Sequence, residues 1–317
     1  TKPGAAATTD TLTATGLLNQ GKITVSDWYT PASSNLGWTS NSGIAAVEGT
    51  NLVGNPYASS IDWDQYSNTD PSAGIYAPNV GPFSYQLIPS GAQGSGNYGV
   101  YQAGTPSHTG TNGSTNIIAS GVGFFVQATN ASAQLTFNES AKTDTQAVVG
   151  STLFMATHVT TQPGDQFIRL RLAKDSINSD ENIIRFDKGA VTSFNYMEDA
   201  RYRSGTGIVS LSSVSSDNVA LAINKTPLPN NKQVLQIPLK LNTSTDGIYA
   251  LKLAAINKVP LLYDVWLMDA YTKDSINMRS NPSYNFNIAR ADTNTMGSKR
   301  FTLLIRENPA YAYRLLS

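Results

Sequence analysis

The stretch Gln166-Phe-Ile-Arg-Leu-Arg-Leu-Ala-Lys174 indicates the fold class of this chain. Side chains along an extended segment point alternately to opposite faces. Arg169 and Arg171 therefore share one face, and Leu170 and Leu172 share the other. This pattern predicts an antiparallel strand with one face in a core and the other in water.

The same alternation recurs along the chain, whereas a sustained period of 3.6 does not, and this predicts an all-β protein. Turn-forming pairs such as Asn55-Pro56 and Asp246-Gly247 separate the segments at spacings typical of sandwiches and barrels. We expect two antiparallel, jelly-roll-like β-sandwich domains in tandem. Further strands are predicted at Lys22–Trp28, Val122–Ala128, Ala133–Phe137, Asn218–Ile223, Gly247–Leu253, Leu261–Met268 and Lys299–Arg306.

The alternation lapses around Glu139–Ser151, which places a domain boundary near residue 146. A first module then spans residues 1–145 and a second module spans residues 146–317. In the first, the segment Thr69–Ser120 is crowded with Gly, Ser, Pro, Asn and Tyr, so we expect long loops there. The tyrosines of Phe83–Tyr101 either form a contact surface for another protein or a polymer, or pack these loops onto their own sandwich.

Composition narrows the classes of function. The 317 residues, 40% of them apolar, suffice to bury a sizeable core. A net charge of zero with only 14% charged residues argues against nucleic acid or an anionic membrane as a partner. Since no apolar run reaches about 18 residues, we expect no membrane insertion. Cysteine is absent, which excludes disulfides and thiolate metal sites, and the bias towards Thr, Ser, Asn, Gly and Tyr favours export.

Motifs in both modules occur in a recognisable order. In the first module they are Gly16–Gly21, Asn51–Trp63 and Gly121–Val126; in the second they are Asp199–Arg201, Leu221–Asn224, Gly247–Tyr249, Leu267–Asp269 and Arg300–Leu303. Together they resemble a region of large Bacteroidetes surface proteins exported by type IX secretion. The stretch Gly54-Asn55-Pro56-Tyr57 is the most specific part, while Thr50 and Ala58 stand where that family usually has Trp and Pro.

The resemblance implies an extracellular or outer-surface location. In that family a fibronectin-like domain and a C-terminal sorting tail usually follow this region, so we expect the chain to be part of a larger protein. The resemblance supplies no catalytic residue.

A sugar-binding cleft is one interpretation of the Gly-Asn-Pro-Tyr region. Tyr57 and Trp63 would stack on apolar sugar faces, and Asp62 would accept hydrogen bonds from hydroxyl groups. Trp38, in a turn region, is the best candidate for an exposed platform. The alternative is that Asn55-Pro56 forms a turn, Trp63 lies in the core and Asp62 bonds loop amides.

Calcium is the one cofactor that the sequence offers a place for. Asp175, Asn178 and Asp180 concentrate oxygen ligands in the loop after the Gln166–Lys174 strand. The loop lacks the spacing of an EF-hand, and a solvated hairpin turn rich in Asp and Asn is the alternative.

Signals for catalysis are weak. There is no G-x-S-x-G elbow, and His108 and His158 are the only histidines, so a zinc site with three histidine ligands is excluded. The match of Gly94–Gly99 to G-x-G-x-x-G has neither a preceding strand nor a following helix, and we reject it. A hydrolase built on two carboxylates remains a third hypothesis.

These observations favour a non-catalytic structural or adhesive segment of a cell-surface or secreted protein. Its partners would be a surface polymer, a polysaccharide or another protein, and edge strands of separate copies could pair into a fibre. The alternative is a carbohydrate-binding accessory region of a secreted polysaccharide-degrading enzyme.

Overall fold

The computed structural model describes residues 15–25, 35–38, 48–89, 96–145, 165–230 and 233–308. Strands dominate these residues, which confirms the predicted all-β class. Short 3-10 helices are found at Trp63–Gln65, Thr111–Gly113, Glu139–Ala141 and Thr293–Thr295. In the described part of the chain, no helix is long and apolar enough to cross a membrane.

Three small sheets make up the described first module. Their strand orders are β1-β10-β5-β4, β11-β3-β8 and β2-β9-β6-β7. All neighbours are antiparallel except β4 and β5, which are parallel. The strands are β1 (Ile23–Thr24), β2 (Thr50–Gly54), β3 (Ser60–Asp62), β4 (Tyr66–Ser67), β5 (Ile75–Tyr76), β6 (Phe83–Pro89), β7 (Gly96–Gln102), β8 (Ile117–Ile118), β9 (Gly123–Gln127), β10 (Thr136–Phe137) and β11 (Lys142–Thr143).

One eleven-stranded sheet makes up the described second module, in the order β20-β19-β22-β17-β15-β16-β13-β12-β18-β21, with β14 paired to β16. Its neighbours are antiparallel except β13 and β16, which are parallel. The strands are β12 (Phe167–Ala173), β13 (Ser179–Phe186), β14 (Ala200–Arg201), β15 (Val209–Val214), β16 (Ala220–Thr226), β17 (Val234–Thr243), β18 (Gly247–Asn257), β19 (Tyr263–Asp269), β20 (Asp274–Asn277), β21 (Ser283–Ile288) and β22 (Gly297–Glu307).

The large sheet folds over a single core, as in a sandwich. Leu170 and Leu251 from one part of the sheet pack in the same cluster as Leu239, Val265 and Leu303 from the other. Alternate residues supply these side chains, as period two requires. Burial of this continuous apolar layer is the main stabilising contribution to the second module.

The predicted strands are found with shifted ends. Gln166–Lys174 corresponds to β12, Gly247–Leu253 to the longer β18, and Lys299–Arg306 to β22. Lys22–Trp28 is represented by β1, and its residues from Ser26 onward, including Trp28, lie outside the described residues.

The prediction of long loops across Thr69–Ser120 was wrong in its centre. β6 and β7 form a seven-residue antiparallel ladder there. The glycines in it serve close packing: a Cβ atom on Gly99 would lie 2.8 Å from the backbone oxygen of Thr111. Glycine-rich composition therefore marked a tightly packed hairpin in this segment.

The predicted boundary near residue 146 falls outside the described residues. We keep the names first module and second module for the parts on either side of it. The two parts share no strand among the described residues, but they touch over a continuous surface. That surface is called the junction, and it contains buried polar groups of both modules.

Candidate functional site

The junction has a small apolar centre. Phe83, Tyr85 and Val100 of the first module pack with Phe167 and Ile183 of the second, together with neighbouring alanine and isoleucine side chains of β14 and β16. The members are nine-tenths or more buried. Water is therefore excluded from the contact, as in the core of a stable interface.

The arginine face of β12 belongs to this junction. The sequence predicts a solvent face, yet Arg169 is only 8% exposed because the first module covers it. Arg169 Nη1 donates to the backbone oxygen of Gly110 at 2.7 Å and to Glu181 Oε2 at 2.8 Å. The amide of Asn112 donates to the same Glu181 oxygen at 2.9 Å. Each charge thus has a partner drawn from across the junction, as buried charges require.

Backbones approach closely at one edge of the junction. The amides of Thr206 and Gly207 both donate to the backbone oxygen of Gly96, at 2.8 and 3.1 Å. Asn97 Nδ2 donates to the backbone oxygens of Ser179 and Val209. The contact requires glycine, since a Cβ atom on Gly205, next to Thr206, would lie 2.0 Å from the Gly96 oxygen.

Arg203 of the second module is enclosed by aromatic rings of the first. Its guanidinium carbon lies 4.6 Å from the ring centre of Phe125, 5.6 Å from that of Tyr85 and 5.8 Å from that of Tyr98. Its Nη2 donates to Thr50 Oγ1 at 2.6 Å. A cation among ring faces is attracted by their quadrupoles, and the attraction grows as water is removed.

Asp180 is a fully buried carboxylate of the second module that bonds Asn112 of the first module. It accepts hydrogen bonds from Tyr202 Oη at 2.6 Å, Asn112 Nδ2 at 2.7 Å, the Leu211 amide at 2.9 Å and the Glu181 amide at 3.0 Å. Burial raises the pKa of Asp180 to about 6, although these four donors act to lower it. Burial wins because the described chain gives this carboxylate no cationic hydrogen-bond partner.

An aspartate–histidine pair lies on the first module. His108 Nδ1 is 2.8 Å from Asp64 Oδ2, while Asp64 Oδ1 accepts from Tyr101 Oη at 2.7 Å and from the Gly104 amide at 2.6 Å. The His108 side chain is 61% exposed. Burial, followed by the hydrogen bond to Asp64, raises the pKa of Tyr101.

An aspartate beside a histidine can orient the imidazole as a general base. Here the contacts of Asp64 with His108, Tyr101 and Gly104 instead hold one loop in place. Asp64 is the partner of the His108 ring within the described chain, where no hydroxyl group bonds that ring. From the other side, Arg185 holds the same loop by donating to Gln102 Oε1 and Thr105 Oγ1, and it pairs with Asp165 at 3.1 Å.

The residues predicted to bind sugar are placed differently. Trp63 is 0% and Tyr57 2% exposed, so neither ring offers a face to a ligand in this structure. Trp63 Nε1 donates to the backbone oxygen of Pro82, and Tyr57 Oη lies within hydrogen-bond distance of those of Gly21 and Phe137, between which its one proton is shared. They are core residues, which is the alternative that the sequence left open.

Asp62 and Trp38 have structural contacts too. Asp62 Oδ1 accepts from the Asp64 amide and from Asn116 Nδ2 at the start of a 3-10 helix. Trp38 is half-buried, and its ring meets that of Tyr196 of the second module edge to face at 6.4 Å. The four predicted sugar-binding residues therefore do not form one open cleft.

The residues predicted to bind calcium do not converge. Asp175 accepts from the Ile177 and Asn178 amides and from Asn178 Nδ2, which closes an exposed turn. Asp180 lies instead in the junction, where it accepts four hydrogen bonds from neutral donors. Among the described residues no group of three or more His, Asp or Glu side chains could hold a metal ion. Asp175 and Asn178 thus lie in an exposed turn, as the alternative interpretation of this loop predicts.

Sequence reasoning missed Arg203 and the Asp64–His108 pair. Arg203 had a signal, because it lies in Arg201-Tyr202-Arg203, where cations and an aromatic ring alternate. Asp64 and His108 are 44 positions apart, and only the fold brings them together.

The fold and the junction define an all-β protein whose modules are packed on each other through buried polar and aromatic groups. The model of a family described as a domain of unknown function, DUF8693, matches residues 2–304. The chain therefore belongs to this family, and the match runs through both modules. Comparison with the curated proteins and with the solved structures found no match.

Proposed function

We propose that this chain is a non-catalytic structural or adhesive segment of a larger extracellular protein, in which two β modules act as one stiff unit. The observation that carries the proposal is the junction. A flexible tether would need only a short linker, whereas these modules bury aromatic rings, arginines and a carboxylate against each other. Interfaces between freely moving domains are more polar and less completely buried.

Other features support this proposal. The family model spans both modules in one match, which agrees with a unit that evolves and folds as a whole. The motif resemblance to exported Bacteroidetes surface proteins supports an outer-surface or extracellular location and a larger parent protein. Surface polymers, polysaccharides or other proteins are the partners that suit such a segment.

The carbohydrate-binding alternative has less support. It relied on Trp38, Tyr57, Asp62 and Trp63, and the two largest rings of the Gly-Asn-Pro-Tyr region are buried. Trp38 is the one ring of this set that is only half-buried. Retention on immobilised polysaccharides, compared between the wild type and a Trp38→Ala variant, tests whether it binds sugar. Retention that depends on Trp38 would favour this alternative.

Calorimetric unfolding of the intact chain tests the structural proposal. We expect one cooperative transition, because neither module can lose its face of the junction without exposing the other. Ile183→Asp places a charge in the apolar centre and should split the transition in two. Ile248→Asp is the matched control, since Ile248 is 70% exposed and lies in the same sheet. Two separate transitions in the wild type would contradict the stiff-unit proposal.

A further inference from the structure

The large sheet contains a gap. β17 pairs with β22 from Val234 onward, but it pairs with β15 only from Leu239 onward. β15 ends at Val214, and the chain then turns into β16. The segment Val234–Pro238 thus keeps one main-chain edge without a strand partner in the described chain.

This edge forms one wall of a slot of about 600 Å³. Asn224 and Thr226 of β16 line the slot, as do Ser215 and Ser216 of the turn after β15. None of the described residues lining it is charged or aromatic. An open edge of five residues is about 17 Å long, which is enough for a short extended segment.

Buried polar atoms without partners lie in and behind the wall of the slot. Thr226 is 2% exposed, and its Oγ1 has no hydrogen-bond partner in the described chain. Asn224 Nδ2 and Asn182 Nδ2 both reach Ser213 Oγ at 3.3 Å, and Asn182 Oδ1 has no partner there either. Such atoms are rare in folded proteins because each one loses its bonds to water.

We propose that the slot binds an extended, uncharged peptide segment of another chain, added as a strand to the edge of β17. The main-chain groups of Val234–Pro238 that point away from β22 supply the ladder hydrogen bonds, to which Pro238 can add only its carbonyl oxygen, and Thr226 Oγ1 supplies a side-chain bond. An uncharged lining disfavours a charged segment, whose groups would lose water without gaining a counter-charge. The lack of aromatic rings disfavours a sugar, which needs a face to stack on.

Titration of the ¹⁵N-labelled full chain with the capped peptide acetyl-Gly-Thr-Val-Thr-Gln-Ser-amide tests the proposal. We expect saturable amide shifts at Val234–Ile237. The peptide acetyl-Gly-Glu-Val-Glu-Gln-Ser-amide, which differs by two charges, should bind more weakly. This test does not depend on the junction, so it can fail while the stiff-unit proposal stands.

Two variants separate binding from folding. Ser216→Trp fills the mouth of the slot and should weaken binding by about tenfold or more, since it blocks the strand position. Its matched control is Ser244→Trp, because Ser244 is also an exposed serine of the same module and does not line the slot. Thr226→Val keeps the shape and removes the hydroxyl. It should weaken binding about fivefold without lowering the unfolding midpoint, because this hydroxyl has no partner in the described folded chain.

Two results with the wild type would overturn the proposal. One is the absence of shifts at Val234–Ile237 with millimolar neutral peptide. The other is a response of the same amides to cellohexaose but not to the peptide, which would assign the slot to carbohydrate. Equal binding by the wild type and Ser216→Trp would place the peptide elsewhere and would also count against it.

Discussion

Asp180 and Asp269 are both buried carboxylates of the second module, and the protein satisfies them in opposite ways. Asp269 is 2% exposed and pairs with Arg300, which is 3% exposed, at 3.0 Å. Asp180 is 0% exposed and accepts hydrogen bonds from neutral groups. Asp269 is the last residue of β19, and Asp180 lies at the junction.

Their pKa values differ accordingly. Burial acts to raise the pKa of Asp269, but the hydrogen bonds and charge of Arg300 hold it below its ordinary value. Burial raises the pKa of Asp180 to about 6 despite its four donors. Neutral donors therefore orient a buried carboxylate without fully compensating its charge, whereas an adjacent cation does so.

Removing the cation should have the largest effect. Arg300→Met leaves Asp269 buried without its counter-charge, and we expect the free energy of unfolding at pH 7 to fall by about 3–5 kcal/mol. The backbone oxygens of Asn287 and Thr295 also lose a donor. Urea denaturation measures the change.

The double variant Asp269→Leu/Arg300→Met is the control. It replaces both charges with apolar groups and should recover much of the loss. A loss below about 1 kcal/mol for the single variant would mean that Arg300 is not what stabilises the charge of Asp269.

The second effect is a pH dependence at the junction. Because the folded-state pKa of Asp180, about 6, lies above its ordinary value of 3.8, the folded chain holds this proton more tightly than the unfolded chain. The resulting stabilisation is complete below about pH 4 and is lost as the pH rises through about 6, a fall of roughly 3 kcal/mol. Asp180→Asn should remove that fall from urea unfolding curves measured between pH 4 and 7.5.

Asp199 supplies the internal comparison. Burial raises its pKa to about 6 as well, so it contributes a fall of the same sign. Asp180→Asn should therefore flatten part of the profile, and Asp180→Asn/Asp199→Asn should flatten the rest. A wild-type stability that stays constant over this range would contradict both assignments.

A smaller effect is expected from the aromatic cage. Arg203→Met keeps an unbranched, flexible stem and removes the guanidinium charge, and we expect the free energy of unfolding to fall by about 1–2 kcal/mol. Arg306→Met is the matched control, because Arg306 lies 5.8 Å from the ring centre of Trp266 but is exposed. It should cost about 0.5 kcal/mol. Equal losses would show that burial adds nothing at Arg203.

The smallest effect is expected at the turn of Asp175 and Asn178, for which the sequence predicts a calcium site. Asp175→Ala removes hydrogen bonds within an exposed turn and should cost at most about 1 kcal/mol. Calcium or a chelator should leave the melting temperature of the wild type unchanged, because the three predicted ligands do not converge. A calcium-dependent rise that disappears in Asp175→Ala would restore the metal site.

The fold class was predictable because alternation reports which side chains share a face. Alternation does not report what covers that face. Arg169 obeys the pattern of a half-buried strand, yet the first module lies over it. Likewise, composition predicted loops at β6 and β7, because glycine that allows close packing looks the same in sequence as glycine that allows a turn.

The candidate site was less predictable for a related reason. Tyr57 and Trp63 carry both an apolar body and a polar tip, so the same residues suit a cleft or a core. Their buried hydrogen bonds to backbone oxygens decide between the two. Asp175 and Asp180 are only five positions apart in the sequence. Asp175 is nevertheless exposed to water, whereas Asp180 is buried in the junction.

The position of β12 in the sheet has a consequence for folding. β12 is the first described strand of the second module, yet it lies between β13, which follows at once, and β18, whose Ala250 pairs with Ala173. Pairing so distant in sequence must close a long loop before any contact offsets the lost entropy, which slows folding. During synthesis, one edge of β12 stays open until residue 257 has emerged, so a holding chaperone that masks this edge should raise the yield of native protein.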